Sequence, residues 1–551
     1  MAEHLVDANF VDVAADRAAT YRKHGWWSPE MLDDLVLRQA TVQPDRCAAI
    51  SAERRLSYAE LASAVDRTTQ RLRCIGIQAG ERVLVQLPND LELLVLVLGL
   101  VRLGAPPVLA MPALREHELR HVLGVTRPVA MAIPRSFQRF DHLAMAERLR
   151  DENSSVRLLL VAHGDPARHT DLSRLCFGRG FDAEGEDSPS TGAAHREGKA
   201  DSSRAATDNA LYLLSSGTTG PPKAIPRSHE AFGHVVRSSA AVSGLSAQSV
   251  YLALMPATHS FVFGHPGILG TLAAGGTVVF ATSDDPQHVF SLVEREGVTH
   301  TALVPALAAQ WLSVAQAAGS GPADTRAVRA LSSLRVLQVG GARLDAGTAD
   351  RIQQVLGCRV QQVYGMSEGL LHFTRLDDAD EVVTQTQGRP ASPGDEVLVV
   401  DEDGEQVAPG GVGELITRGP SVIAGYYGDP EANRRAFTNA GYYRTGDLVR
   451  LHPSGNYVVA GRTKDVINRG GEKIAADELE ELVLRHPQVH DAAAVAMPHR
   501  LYGEAVCLYV VPAGPGTRSC TRYGASWRGG ASPGSSCPPG WSLSTHSPWR
   551  E

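Results

Sequence analysis

The spacing of apolar residues divides the chain into short strands and longer helices. Residues 82–87, RVLVQL, have the length and aliphatic character of a strand, and 91–104, LELLVLVLGLVRLG, read as an apolar helix closed by glycine. PPVLAM at 106–111 reads as the next strand. The same order recurs with TVVFA at 277–281, a helix over PQHVFSLVEREG at 286–297, and HTALVP at 300–305. Such alternation predicts α/β layers with largely parallel pairing, and the continuous apolar runs predict strands covered on both faces. From Asp395 the pattern changes to short strands with turns: EVLVVDEDGEQV at 396–407 sets Asp-Gly at a hairpin, and GELITRG follows at 413–419. Past GRTKD (461–465), DELEELVLRHPQV at 477–489 reads as an amphipathic helix and DAAAVAMP at 491–498 as a strand. Residues 179–207, rich in Gly, Ser, Ala and charge, read as a mobile linker. Residues 514–551 show no hydrophobic periodicity and read as a disordered tail.

Composition narrows the classes. A chain of 551 residues is expected to hold more than one domain. Its 43% hydrophobic and 21% charged residues are ordinary for a soluble globular protein. A net charge of −8 gives no electrostatic footprint for nucleic acid. The seven cysteines are scattered without a CxxC pair, which predicts neither a zinc site nor a disulfide framework and fits a reducing cytoplasm. The N-terminus is acidic where a signal peptide is basic. The greasiest run, 93–101, is far shorter than the roughly 20 residues that a membrane crossing needs, so no membrane partner is expected.

One stretch carries candidate chemistry. Residues 215–223, SSGTTGPPK, combine glycines that let backbone N–H groups approach an anion, hydroxyls that add donors, and a lysine. That suits a polyphosphate, although the spacing is not GxxxxGK[ST], so a Walker loop is excluded. Alone, the stretch reads equally well as a flexible surface loop.

Downstream stand VYGMSEG (363–369), YYRTGDLV (442–449) and GRTKDVINRGGEKI (461–474). With these four ordered motifs, the chain resembles the adenylate-forming superfamily of acyl-CoA synthetases, peptide-synthetase adenylation domains and luciferases. KAIPRSH, LQVGGARL (337–344), QQVYGMSEGLLHFTRLDD (361–378) and INRGGEKIAADELE (467–480) are most similar to stand-alone aryl acid–AMP ligases of siderophore assembly. The resemblance spans about residues 15–512. It implies layered α/β subdomains with a small β-barrel-like subdomain over 1–460, a hinge at 461–465, and a small mobile α+β C-terminal domain, incomplete here, over 466–513.

The activity so implied is attack of an aromatic carboxylate on the α-phosphate of ATP, giving aryl-AMP and pyrophosphate. Transfer to the phosphopantetheine thiol of an aryl carrier protein follows, with CoA as the alternative acceptor. By the resemblance, Ser215, Ser216, Gly217, Thr218, Thr219, Gly220 and Lys223 cradle the β- and γ-phosphates, and Glu368 holds Mg²⁺. Asp447 accepts from the ribose hydroxyls with Arg462 nearby, while Tyr364 stacks near adenine, followed by Gly365, Met366 and Ser367. A plain core aromatic is the alternative reading of Tyr364. Lys464 occupies the hinge position, and Lys473 enters the site for thioester formation.

The stretch MPATHSFVFGHPG (255–267) matches the segment that lines the acyl pocket. It has no aspartate to pair an α-ammonium, which disfavours amino acids and favours an aryl acid. Aryl acid ligases usually carry His-Asn-Tyr and, four residues after the Asn-Tyr pair, Ser. Here His259 is kept, but Ser260, Phe261 and His265 stand at the other positions. His259 remains a candidate gate beside the carboxylate. His265 faces a ring substituent of the substrate or is a satisfied core histidine. Gly341, Val363 and Leu371 match further wall positions.

The family's C-terminal lysine, which grips carboxylate and α-phosphate, has no counterpart, because no lysine follows Lys473. The change of composition after 514 is expected to arise from a shifted reading frame; sequencing the 3′ end checks this, and an unshifted read through the stop codon counts against it. With the tail as it stands, adenylation is expected to be severely weakened, and the alternative to a working ligase is a truncated paralogue that binds aryl-AMP or nucleotide but barely turns over. Pyrophosphate exchange at family-like rates would overturn that expectation.

Overall fold

The computed structural model describes residues 12–52, 54–162, 168–178, 204–215, 221–317, 329–469, 472–484, 486–499, 503–512 and 521–524. The chain divides into two compact units: Met1–Glu396 with Thr417–Tyr443, and Val397–Ile416 with Arg444–Glu551.

The first unit is built on two sheets. Six strands of the nine-stranded sheet run parallel, in the spatial order Cys47–Ser51, Thr277–Phe280, Val250–Ala253, His300–Leu303, Val336–Gly340 and Arg359–Gly365. Antiparallel strands Arg54–Ser57 at one edge, and Leu371–Phe373 then Arg389–Pro390 at the other, complete it. The seven-stranded sheet is parallel from Asn209–Leu214 through Pro107–Leu109, Val83–Val85, Ala130–Pro134 and Leu158–Ala162 to Thr170–Asp171. Ala224–Ser228 closes its edge in antiparallel pairing with Asn209–Leu214. The expected parallel α/β pattern is therefore the observed one.

Local signals set the helix ends. Leu91–Leu103 starts where the Asp90 carboxylate accepts the Leu91 N–H and stops at left-handed Gly104. Pro286–Glu296 starts at Asp285 with proline in its first turn and stops at left-handed Gly297. Nearly every residue of Leu91–Leu103 is buried, as an all-round apolar helix must be. The longest apolar helices stay short of a span: among the described residues, none is long and apolar enough to cross a membrane.

The second unit carries most of the four-stranded sheet Glu396–Val400, Val412–Arg418, Tyr443–Leu451 and Tyr457–Arg462. It stands where the small β-subdomain was expected, and Gly404 turns left-handed at the Asp-Gly position before Val400 pairs Gln406. A second sheet joins Glu472–Ala475, Val466–Arg469, Gly503–Pro512 and Val489–His499, all antiparallel. Helix Ala476–Leu484 contributes to its core of Ile467, Ala476, Ala494, Leu508 and Val510. Within the stretch expected to be a tail, Thr521–Gly524 is a strand paired with Gly503–Pro512; its other residues lie outside the described ones. Residues 461–465, the expected hinge, fall at the end of Tyr457–Arg462 and in the turn Thr463–Asp465.

One expectation needs correcting. Residues 179–203 of the presumed linker lie outside the described residues, but its end is fixed. Arg204 pairs at 3.1 Å with Asp33, which is completely buried, and donates to the Val101 carbonyl at 2.9 Å. Composition had no access to this, because the partner lies 171 residues away. Arg102 reaches the same carboxylate at 3.3 Å. Replacing Asp33 by alanine strands a buried guanidinium and is expected to cost about 3–5 kcal/mol. Asp34→Ala, whose side chain is half exposed, is expected to cost at most about 1 kcal/mol. Thermal unfolding of the two variants checks the difference.

Candidate active site

The candidate residues of the first unit collect at the carboxyl ends of parallel strands, where open α/β sheets place ligand crevices. Strand Asn209–Leu214 ends at Ser215 and strand Ala224–Ser228 begins after Lys223. Ser215 N–H donates to the Lys223 carbonyl, and Lys223 N–H donates to Ser215 Oγ, both at 3.0 Å. These two bonds close the base of the presumed phosphate loop. Ser216, Gly217, Thr218, Thr219 and Gly220 lie outside the described residues.

Strand Arg359–Gly365 runs into a tight turn, in which Met366 N–H donates to the Leu370 carbonyl and Gly369 N–H to the Met366 carbonyl, each at 3.0 Å. Tyr364 stands half-buried at the strand end, edge-on to His372 with ring centroids 5.6 Å apart. Gly365 is exposed, and Met366 packs on the main core. Ser367 Oγ lies 3.0 Å from Ser260 Oγ, which joins the turn to the acyl segment.

Glu368 sits within that turn, buried. Its Oε1 accepts the Tyr426 hydroxyl at 2.8 Å, and Tyr443 Oη lies 3.1 Å from Tyr426 Oη. Lys223 Nζ lies 5.1 Å from the Tyr426 ring centroid, within cation–π range. Burial pushes the Glu368 carboxyl above its ordinary pKa, against the pull of the Tyr426 hydroxyl and of Lys223. Burial and the Glu368 charge likewise raise the Tyr426 phenol. The main chain here is equally constrained. The Glu368 carbonyl accepts from Ile423 N–H at 2.9 Å and from Arg227 Nη1 at 3.3 Å. Gly369 is left-handed at φ +118°, and a Cβ there would fall 1.8 Å from the Ser421 carbonyl oxygen, so no other residue fits.

The acyl segment follows strand Val250–Ala253. Asn89 holds it, donating to the carbonyls of Ala253 and Met255 at 3.0 Å and accepting from Ala257 N–H at 2.7 Å. His259 Nδ1 accepts the Phe261 N–H at 3.2 Å. Burial holds His259 below the usual imidazole pKa, and His265 well below it, so both rings are neutral at neutral pH. His265 is buried beside Phe232, centroids 5.8 Å apart, and its Nε2 has no hydrogen-bond partner. Phe261 lies against Gly340, where a Cβ would be 3.3 Å from its ring and 2.6 Å from the Val363 carbonyl. Gly340 thus belongs to the same wall as Val363. Gly341 follows it, exposed and left-handed, and Leu371 is buried on the neighbouring strand.

In the second unit, Asp447 and Arg462 stand opposite each other on adjacent strands, and Arg462 Nε lies 3.0 Å from Asp447 Oδ1. Asp447 is buried. Lys464 lies in the turn Thr463–Asp465 and Lys473 on strand Glu472–Ala475; their side chains lie outside the description. Four residues about Glu368 escaped the sequence reading: Tyr426, Tyr443, Arg227 and Ser421. Tyr443 stands in the quoted YYRTGDLV and Arg227 in KAIPRSH, so the motifs themselves were the available signal.

Comparison with known proteins bears directly on this arrangement. A family model described as AMP-binding enzyme matches residues 36–427, and one described as AMP-binding enzyme C-terminal domain matches 478–523. A salicylyl-CoA synthase / salicylate adenylyltransferase of Streptomyces sp is 46% identical over 510 residues, 92% of this chain and 89% of that protein. A salicyl-AMP ligase / salicyl-S-ArCP synthetase of Mycobacterium tuberculosis is 43% identical over 512 residues, 92% of this chain and 86% of the relative. The apo structure of Mycobacterium smegmatis MbtA superposes with a TM-score of 0.74 at 40% identity, covering 93% of this chain and 90% of that one. The chain belongs to the adenylate-forming AMP-binding enzyme family and is similar throughout that length to its aryl acid ligases.

Proposed function

We propose that the protein is an aryl acid–AMP ligase, acting in the cytoplasm with ATP and Mg²⁺. The carboxylate of a flat aromatic acid attacks the α-phosphorus of ATP, and the bond to pyrophosphate breaks. A thiol then attacks the aryl carbonyl, AMP leaves with the bonding electrons, and the thiol loses its proton. The acceptor thiol is the phosphopantetheine of an aryl carrier protein. The name of the Streptomyces relative, which includes a CoA thioester activity, supports CoA as a second acceptor.

The observation that carries this reading is the buried Glu368 carboxylate, held by the Tyr426 and Tyr443 phenols, with Lys223 on the Tyr426 ring. A carboxylate so placed is destabilised as an anion and gains from a cation. Among the described residues no three His, Cys, Asp or Glu side chains cluster as a metal cage. That fits Mg²⁺, which takes one or two carboxylates and completes its shell with water and substrate phosphates. When bound by Glu368, the ion supplies charge neutralisation to the phosphates. Lys223 adds a positive charge at the same end of the nucleotide, and Ser215 frames the loop that wraps it. Asp447 and Arg462 hold the ribose. Neutral His259 stands beside the substrate carboxylate without drawing it into an ion pair.

His265 sets the ring specificity in this reading. Its unpartnered Nε2 supports a substrate substituent as partner rather than a satisfied core histidine. Pyrophosphate exchange with a panel of acids is expected to respond, at rates well below the family's because no lysine follows Lys473, to salicylate-like and heteroaryl acids and not to α-amino acids. Silence across the aryl panel would defeat the reading. Glu368→Gln is expected to lower exchange about 10²–10³-fold, the usual range for loss of one preorganised electrostatic contact. His265→Ser is expected to change the ratio of kcat/KM between 2,3-dihydroxybenzoate and salicylate by at least about tenfold. An unchanged ratio would return His265 to the core.

A further inference from the structure

We propose that Arg227 is a positioning residue for the metal-nucleotide end of this site, fixing the turn that presents Glu368. The inference rests on the ligase reading. Arg227 lies on strand Ala224–Ser228, which leaves the phosphate loop directly after Lys223. Its side chain is among the largest in the protein to be fully buried. One arm of its guanidinium, Nη1, donates to the Glu368 carbonyl at 3.3 Å, and the other, Nη2, to the Ser421 carbonyl at 2.9 Å. Three segments far apart in sequence therefore meet at one fork: the strand after the phosphate loop, the Glu368 turn, and the 419–423 loop.

The remaining contacts show why an apolar residue does not serve. Gly369 has no room for a Cβ against Ser421, and the Cβ position also falls 2.8 Å from Arg227 Nη1. The guanidinium thus occupies the gap that the left-handed turn leaves. The Ser421 loop is itself tied down, since Trp27 Nε1 donates to the Pro420 carbonyl at 2.9 Å and Ser421 N–H donates to Asp395 Oδ1 at 3.1 Å. Asp395 and, less strongly, Glu368 supply compensating charge, and the Phe232 face lies 5.3 Å from the guanidinium carbon. The same two segments meet a second time at Tyr426, whose hydroxyl holds the Glu368 carboxylate. Arg227 holds the main chain of Glu368, and Tyr426 with Tyr443 its side chain, so among them the carboxylate has one place to point. A planar fork with two donors at fixed spacing makes this bridge; a lysine ammonium reaches one carbonyl with confidence of geometry and loses the other.

The test uses the full-length protein with Arg227→Met, which keeps stem length and removes both donors, Arg227→Lys, and Tyr426→Phe. Calorimetry measures ATP binding with Mg²⁺ and with EDTA, and exchange assays give kcat and KM for each substrate. In Arg227→Met the gain in ATP affinity on adding Mg²⁺ is expected to shrink at least tenfold. kcat of exchange is expected to fall tenfold or more, while KM for the aryl acid moves less than twofold. Tyr426→Phe is expected to show the same metal-dependent signature, and the double variant less than the product of the two. Equal losses in the EDTA and Mg²⁺ arms, or an equal rise in both KM values, would overturn the proposal and leave Arg227 a structural residue. Where Arg227→Met unfolds at the assay temperature, Arg227→Lys must carry the signature in weaker form, and its absence there overturns the proposal too. Wild-type exchange that is silent on every aryl acid sinks the ligase reading alone, because the calorimetric comparison still reads Arg227.

Discussion

A carboxylate buried as deeply as Glu368 has to be matched, and most of the first unit's site follows from how it is matched. Burial penalises the anion and raises its pKa. The protein offsets this with the phenols of Tyr426 and Tyr443, and with the charge of Lys223 beyond the Tyr426 ring. None neutralises it. The carboxylate is thus left short of positive charge, at the end of the site to which the proposed function assigns the nucleotide's phosphates and their cation. Holding it there requires that its turn not relax, and the main chain answers with a left-handed glycine against Ser421 and with carbonyl bonds from Ile423 and Arg227.

Arg227 then raises the same difficulty one step further in. Burial pulls the guanidinium down to about 10, which still leaves it charged at neutral pH. Asp395, the carboxylate that offsets it, is raised by burial to about 7. Its Oδ1 accepts from Ser421, and its Oδ2 has no hydrogen-bond partner. Each buried charge is incompletely satisfied by the next, so removing any one leaves its neighbour exposed to the full desolvation penalty. The network is expensive to bury and is placed where three segments must keep register to within a hydrogen bond.

These features explain how much the sequence could disclose. The parallel sheets and helices such as Leu91–Leu103 and Pro286–Glu296 were legible because their causes are local: apolar runs, Asp at the start, Gly at the end. Lys223 and Glu368 were legible because each sits in a contiguous motif. Tyr426 was not, since its role depends on a partner 58 residues away, and Arg227 depends on carbonyls 141 and 194 residues away. Arg204 was read as linker for the same reason. Composition describes what a residue tolerates; it is silent on which distant atom the fold delivers to it. His265 is the intermediate case, because its departure from the family pattern was visible while the state of its Nε2 was not.

That state bears on the substrate. The wall about Phe261 is made of Gly340, Val363 and the phenyl ring itself, with no hydroxyl where the family usually has tyrosine. Ser260 turns its hydroxyl to Ser367, so its bonding capacity is already partly used. His259 and His265 are both kept neutral by burial. The acyl segment 255–267 therefore offers apolar surface, two neutral imidazoles and no charge. An ammonium entering such a site would be desolvated without a counter-ion, whereas a flat ring loses nothing to enter it and regains a hydrogen bond if one polar substituent meets His265. Under the proposed function, selectivity accordingly rests less on holding the ring than on whether the buried His265 Nε2 finds a partner.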